Sequence, residues 1–339
     1  MQILIIKLGA MGDVMRMASV LKPLKEKHPS AIITWVTKKD SVPLLKGNPY
    51  LDKIIVLGHH NDILKKEFDL TISFDDDSDA CALASHVNTK KIIGAYMNEG
   101  KKTYTPDSAP WFDMGLISLY GKEEADRKKA RNSKTYQAIH FSILGLKDHS
   151  QYPPLLMLED QERAFAETFA KKHGISEADL VVGINTGAGG RWQDKKLSVD
   201  QTLKLISFLQ QKSTAKILLF GGPDEQERNE EILLKSSQSI IDAGCHNTVR
   251  EFAALVNLCD VVVTSDSLAM HIAIALSKKV VAFFYPTSAA EIEVYGKGKK
   301  IIAKGDSYCS YQTVCTHPPQ WDIEEIAQAA ISLMHKKEK

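Results

Sequence analysis

The stretch ILIIKLGAMGDVMRMASVLKPLKEKH, residues 3–28, decides the fold. Its first residues, ILIIK (3–7), form an apolar run of the kind that makes a strand buried on both faces. Gly9 and Gly12 follow, and VMRMASVLKPLKEKH (14–28) then carries apolar residues at helical spacing. Strand, glycine loop and helix in this order open a βαβ unit. Further strands are read outward from it in AIITWV (31–36), KIIVL (53–57), FDLTISF (68–74) and KKIIGAY (90–96), with the helical SVPLLKG among them. Residues 97–135 show no clear period and read as excursions with one or two helices.

At Pro153-Pro154 the chain meets a boundary, because the pair cannot continue a helix. After a helix at 159–174 the alternation resumes. LVVGINT (180–186), KILLFGG (216–222), SIIDA (239–243), DVVVTSD (260–266) and KVVAFFYP (279–286) read as strands, with helices at 198–212, 224–236, 248–258 and 267–277. The expectation is an α/β protein of two Rossmann-like domains with parallel sheets, residues 1–155 and 156–339. EEIAQAAISLM (324–334) reads as an amphipathic terminal helix packing back on the N-terminal domain.

Among 339 residues, 43 Lys+Arg face 42 Asp+Glu, and 44% are hydrophobic. These values exclude a disordered or fibrous chain and argue against a nucleic-acid partner. The first 158 residues hold 22 basic and 18 acidic residues and the remainder 21 and 24, a weak bias between the halves. No run approaches the ~18–20 apolar residues of a membrane span. The N-terminus lacks the basic region of a signal peptide, so a cytoplasmic location is expected. Five cysteines are an odd and sparse set that fits a reducing compartment, and Cys309 and Cys315 read as loop thiols.

Ligands of open α/β sheets bind beyond the carboxyl ends of strands, so four loops carry the candidate chemistry. The first runs from Lys7 through Gly9 and Gly12 to Asp13. Its glycines allow a substrate to approach closely, while Asp13 is either a functional carboxylate or a helix N-cap. The second, NTGAGGRWQDKK (185–196), is glycine-rich and cationic without the ending of a P-loop, which suits a phosphate-bearing ligand. The third, Gly221-Gly222-Pro223-Asp224-Glu225, offers a carboxylate for ribose hydroxyls or simply an acidic helix start. The fourth, TSDSLAMH (264–271), places Ser267 as an N-cap, with His271 either a donor or a buried structural histidine.

Taken in order, these loops resemble glycosyltransferase family 9, the ADP-heptose:lipopolysaccharide heptosyltransferases. The opening ILIIKLGAMGDVMRMASVLKPLKEKHP, NTGAGGRWQDKKLS, FGGPDE, VVVTSDSLAMHIAIALSKKVVAFF and the downstream TSAAEIEVYG carry the resemblance, over about residues 1–57 and 180–320. It implies a GT-B fold, with two Rossmann-like domains facing a central cleft, and an inverting transferase. Asp13 matches the family's catalytic base, with Lys7, Gly9 and Gly12 on the acceptor-side loop. Thr186 and Gly187 match the phosphate-contacting turn. Lys195, or Lys196 if the loop slips by one, matches the diphosphate contact, and Glu225 or Asp224 the ribose contact. Asp266, Ser267 and His271 match the donor-binding strand–helix junction. Leu268-Ala269 depart from the family's Gly-Pro, and Lys196-Leu197-Ser198 from its Arg-Trp-Pro.

The implied reaction moves heptose from ADP-heptose to a hydroxyl of a lipid-linked or oligosaccharide acceptor of the lipopolysaccharide-core type. No metal and no cofactor are expected, the nucleotide sugar being a substrate. Peripheral contact with the inner face of the cytoplasmic membrane is a further implication of the family. The carboxylates Asp75, Asp76, Asp77 and Asp79 would repel an anionic acceptor, and read more simply as a solvated loop or helix start. Two other readings stay open. One is a glycosyltransferase or epimerase using another nucleotide sugar; the other is a non-catalytic nucleotide- or sugar-binding protein.

Overall fold

A computed structural model describes residues 1–334. The chain divides into two compact units: Met1–Met157 with Ala290–Glu293, and Leu158–Ala289 with Val294 onward.

The first unit is built on a six-stranded sheet of β1 (Gln2–Ile6), β2 (Ile32–Thr37), β3 (Lys53–Val56), β4 (Leu70–Ser73), β5 (Ile92–Asn98) and β6 (Lys101–Tyr104). Their spatial order is 3-2-1-4-5-6, parallel throughout except for β6, which runs antiparallel to β5. Ile3 to Ile6 of β1 are fully buried, as a central strand covered on both faces must be. On one side Leu4, Ile6 and Val36 pack with Leu83 and Ala84 of helix Ser78–His86.

The second unit repeats the plan. Its strands are β7 (Val181–Asn185), β8 (Lys216–Phe220), β9 (Ile241–Asp242), β10 (Val261–Ser265), β11 (Lys279–Phe284) and β12 (Gly298–Ile302). They lie in the order 9-8-7-10-11-12, all parallel. Helix Val199–Lys212 starts at a Ser198–Gln201 capping box and buries Thr202, Leu205, Ile206 and Leu209, one stripe at helical spacing. The terminal helix Ile323–Met334 joins Val199–Lys212 over this sheet through Ile326, Ala330 and Leu333. Its apolar stripe is thus part of the second unit's core.

In the two six-stranded sheets, two strands escaped the sequence reading, β6 and β12. Both are edge strands rich in lysine, KKTY and GKKII, with only one buried residue each. Edge strands carry charge that masks their period and discourages further pairing. β6 follows β5 through Glu99-Gly100, both at positive φ, the signature of a tight hairpin. SIIDA shortens to the two residues of β9. No helix among the described residues is long and apolar enough to cross a membrane.

Candidate functional site

In each unit the strand order reverses between the first and fourth strands, so the loops leaving those strands form the expected ligand edge. The residues singled out from the sequence gather at these two edges.

In the first unit the loop after β1 is fastened by Asp75, which follows β4. Asp75 Oδ2 accepts the Leu8 and Gly9 amides at 2.7 and 2.6 Å and lies 3.4 Å from Lys7 Nζ. Lys7 and Asp75 are both buried. A Cβ on Gly9 would sit 3.0 Å from Lys7 Nζ and 3.1 Å from Asp75 Oδ2. Glycine at 9 therefore leaves room for this internal ion pair. The acidic run likewise divides. Asp75 is a structural anchor, whereas Asp77 caps helix Ser78–His86 by accepting the Asp79 amide at 2.9 Å and pairs with Lys38 at 3.0 Å. Burial pushes the Asp77 carboxyl up, but Lys38, the Asp79 amide and Lys102 together outweigh it and hold the group below its ordinary value.

Helix Met11–Met17 begins earlier than the sequence suggests, so Gly12 and Asp13 lie in its first turn. Ala10 occupies the N-cap position, which removes the capping alternative for Asp13. Asp13 Oδ1 instead meets the Arg16 guanidinium at 2.9 Å. Arg16 also lies 4.0 Å from Glu291 and stacks over the Tyr136 ring, 4.0 Å from its centroid. Arg16 and Glu291 were missed from sequence. The i, i+3 spacing of Asp13 and Arg16 was a visible signal, but nothing local distinguishes Glu291, which is 275 residues further along the chain.

The second unit brings together two lysine–carboxylate pairs. Lys195 Nζ donates to Asp266 Oδ2 at 2.9 Å and to the Asp266 carbonyl at 3.0 Å, while Thr287 Oγ1 donates to the same Oδ2 at 2.7 Å. Burial pushes the Asp266 carboxyl up, but Lys195, His271 and Thr287 together outweigh it and hold the group below its ordinary value. Lys196 Nζ meets Glu225 Oε1 at 2.6 Å, and Glu225 Oε2 accepts the Gly222 amide at 3.1 Å. The consecutive lysines thus reach different acids, and the strand-like backbone at Lys196 (φ −98°, ψ 143°) turns them apart. Of the two neighbouring acids Glu225 is buried in this cluster, while Asp224 is exposed.

The turn after β7 is held from within. Thr186 Oγ1 lies 2.6 Å from Asn229 Oδ1 and 3.1 Å from the Phe220 carbonyl, and its amide donates to the same carbonyl. Its hydroxyl therefore shapes the turn. Asn185 Nδ2 donates to the Gly187 carbonyl at 2.7 Å and to Thr264 Oγ1 at 3.1 Å, tying the β7 and β10 ends together. A Cβ on Gly187 would come within 2.7 Å of Glu225 Oε2. Ser267 stands at the N-cap position of helix Leu268–Ala275 but makes no side-chain cap, because its Oγ turns 3.0 Å from Thr264 Oγ1. His271 is buried one turn into that helix.

All five cysteines are free thiols, and burial pushes Cys315 up to about 11. Among the described residues no group of three or more His, Cys, Asp or Glu side chains is placed to hold a metal.

Comparison with known proteins follows the same lines. The model of Glycosyltransferase family 9 (heptosyltransferase) matches residues 57–319, beginning after Asp13. The chain is 25% identical over 354 residues to lipopolysaccharide heptosyltransferase 2 of Salmonella typhimurium, covering 96% of this chain and 97% of that one. Among solved structures, the glycosyl transferase family 9 protein of Veillonella parvula superposes with a TM-score of 0.74 at 21% identity, over 98% of this chain and 97% of that one. E. coli ADP-heptose lps heptosyltransferase II gives 0.67 at 19% identity, over the whole of both chains. At the level of fold, the GT-B type α/β architecture expected from the sequence is that of this chain.

Proposed function

The chain belongs to glycosyltransferase family 9, the heptosyltransferases, and from this premise we propose that it moves heptose from ADP-heptose to a hydroxyl of a lipopolysaccharide-core acceptor. The observation that carries the reading is the second unit's switch-point edge. Lys195 and Lys196, each poised on a buried or half-buried carboxylate, stand beside the glycine turn at 187 and the start of helix Leu268–Ala275. A cation beside a glycine turn and a helix N-terminus suits a nucleoside diphosphate, and a carboxylate beside it suits the ribose.

In this reading Lys195 leaves Asp266 in part to engage the donor diphosphate, and Glu225, held by Lys196, faces the ribose. Gly187 lets the phosphates approach the backbone, with Thr186 holding the turn and Ser267 and His271 lining the junction. On the first unit Asp13 takes the proton of the acceptor hydroxyl as its oxygen attacks the anomeric carbon. The new C–O bond forms as the bond from that carbon to the diphosphate oxygen breaks. The electron pair leaves on the diphosphate, where Lys195 stabilises the growing charge. One displacement inverts the anomeric centre. Lys7 acts through Asp75 and Gly9 to fix the loop ahead of Asp13.

A lipid-linked acceptor would place the reaction in the cytoplasm at the inner face of the membrane, with the protein attached peripherally. The test is a release assay with ADP-, GDP-, UDP- and dTDP-sugars, followed by transfer to core acceptors of graded lipid length. Nucleotide release from ADP-heptose that depends on the core acceptor supports the reading. Preference for another nucleotide sugar, or binding without release, refutes it.

A further inference from the structure

We propose that Arg16 is the positioning residue of the base, orienting the Asp13 carboxylate and keeping it ionised; this rests on the reading of Asp13 as that base. The two residues are an i, i+3 pair on helix Met11–Met17, 2.9 Å apart. An exposed pair of that spacing contributes little and fixes no geometry. This one differs because the cation is clamped. The Arg16 side chain is only 12% exposed, against 36% for Asp13. Its guanidinium carbon lies over the Tyr136 ring, 4.0 Å from the centroid, and 5.7 Å from that of Trp111. Tyr136 is itself immobilised between Trp111 at 4.9 Å and His140 at 3.7 Å, and His140 is packed in turn on Phe74 at 4.3 Å. A guanidinium stacked in this way presents its N–H fork in one orientation and is hard to replace by an ammonium.

A second carboxylate, Glu291, lies 4.0 Å from the other side of the guanidinium. Its segment is tied to the same aromatic helix, since the Tyr136 amide donates to the Glu291 carbonyl at 2.9 Å. Other titratable groups pack against the same elements. Burial pushes the Tyr136 phenol far up and His140 well below its ordinary value, so both stay neutral around pH 7. Lys7 is paired with Asp75. Arg16 is thus a cation held against the Asp13 carboxylate and shared with Glu291. A cation at this distance favours the ionised base and extends activity toward lower pH.

The experiment compares the pH dependence of kcat for the full-length wild type, Arg16→Lys, Arg16→Met, Glu291→Gln, Asp13→Asn and the double variant Asp13→Asn/Arg16→Met, using ADP-heptose and a core acceptor. Arg16→Met should lower kcat about 10- to 100-fold and move the acid limb upward by about one pH unit, with the donor KM within about twofold. Arg16→Lys should restore most of the acid limb but only part of kcat. Glu291→Gln removes the competing carboxylate and should move the acid limb downward, a readout available even if Arg16→Met does not fold. In the Asp13→Asn background, adding Arg16→Met should change the residual rate less than about twofold.

A folded Arg16→Met with wild-type kcat and acid limb overturns the proposal while leaving the base assignment standing, provided Asp13→Asn is inactive. An unmoved or raised acid limb in Glu291→Gln, or additive losses in the double variant, also overturns it. Full activity of Asp13→Asn removes the base reading itself and this proposal with it.

Discussion

Replacing Lys196 by Met tests whether the inner lysine–glutamate pair holds the donor edge together. The two side chains are 5% and 3% exposed and their charged atoms are 2.6 Å apart. At an effective dielectric of about 20 that separation corresponds to an attraction of about 6 kcal/mol before desolvation is counted. Removing one partner strands the other charge in a dry site, and such losses run to about 3–5 kcal/mol. Glu225 cannot simply swing away. Its Oε2 accepts the Gly222 amide at 3.1 Å. For a unit of this size each kcal/mol moves the thermal midpoint by about 2–4 °C, so a drop on the order of 6–20 °C is expected. Scanning calorimetry on the wild type, Lys196→Met, Glu225→Leu and the double variant measures it. The double variant should recover most of the loss, because an apolar pair of similar volume substitutes well for a buried ion pair. A Lys196→Met midpoint within about 2 °C of wild type, or a double variant no better than the single ones, would refute the reasoning.

Lys195→Met should weaken ADP binding about 10- to 100-fold by calorimetric titration, since a charge-assisted hydrogen bond contributes about 1.5–3 kcal/mol; an unchanged titration shifts the diphosphate contact to Lys196 or Arg191. Asp13→Ala should reduce transfer about 10²- to 10⁴-fold with ADP affinity retained, and near-full turnover would end its assignment as base. Gly221→Ala should cost about 1–3 kcal/mol and weaken ADP binding, because its Cβ would lie 2.8 Å from Asn229 Nδ2 and 2.9 Å from Glu225 Cβ; wild-type stability would show that the turn relaxes. The Glu162–Arg250 pair gives a pH prediction. Arg250 at 2.9 Å, aided by the Glu159 amide, holds the Glu162 carboxyl at about 2. A depressed folded-state value means that the stabilisation is complete above about pH 4.5 and is lost as pH falls toward 2, a change on the order of 2–3 kcal/mol. Urea midpoints should therefore fall over that window in the wild type and less steeply in Glu162→Gln; parallel curves would contradict the pairing.

Much of the fold was legible because central parallel strands must be apolar on both faces. ILIIK and DVVVTSD could hardly be anything else, and the helix between Ser198 and Lys212 announces its start by a capping box. The lysine-rich edge strands β6 and β12 lacked that pressure and stayed hidden. The candidate site was legible as a set of loops but not as a set of partnerships. Reading local sequence could not choose between Lys195 and Lys196, or between Asp224 and Glu225. Nor could it show that Asp75 fastens the first glycine loop, that Arg16 meets Glu291, or that Thr186 and Ser267 turn their hydroxyls toward protein.

By itself, then, the sequence determined where chain direction changes and which residue types stand at the carboxyl ends of the strands, because both follow from short-range periodicity and turn chemistry. Only the tertiary structure decided which charges neutralise one another. Those pairings join Lys7 to Asp75 and Lys195 to Asp266, 68 and 71 positions apart, each across a sheet whose strand order reverses between its first and fourth strands. Burial there leaves each carboxylate dependent on a particular cation, which no local pattern encodes.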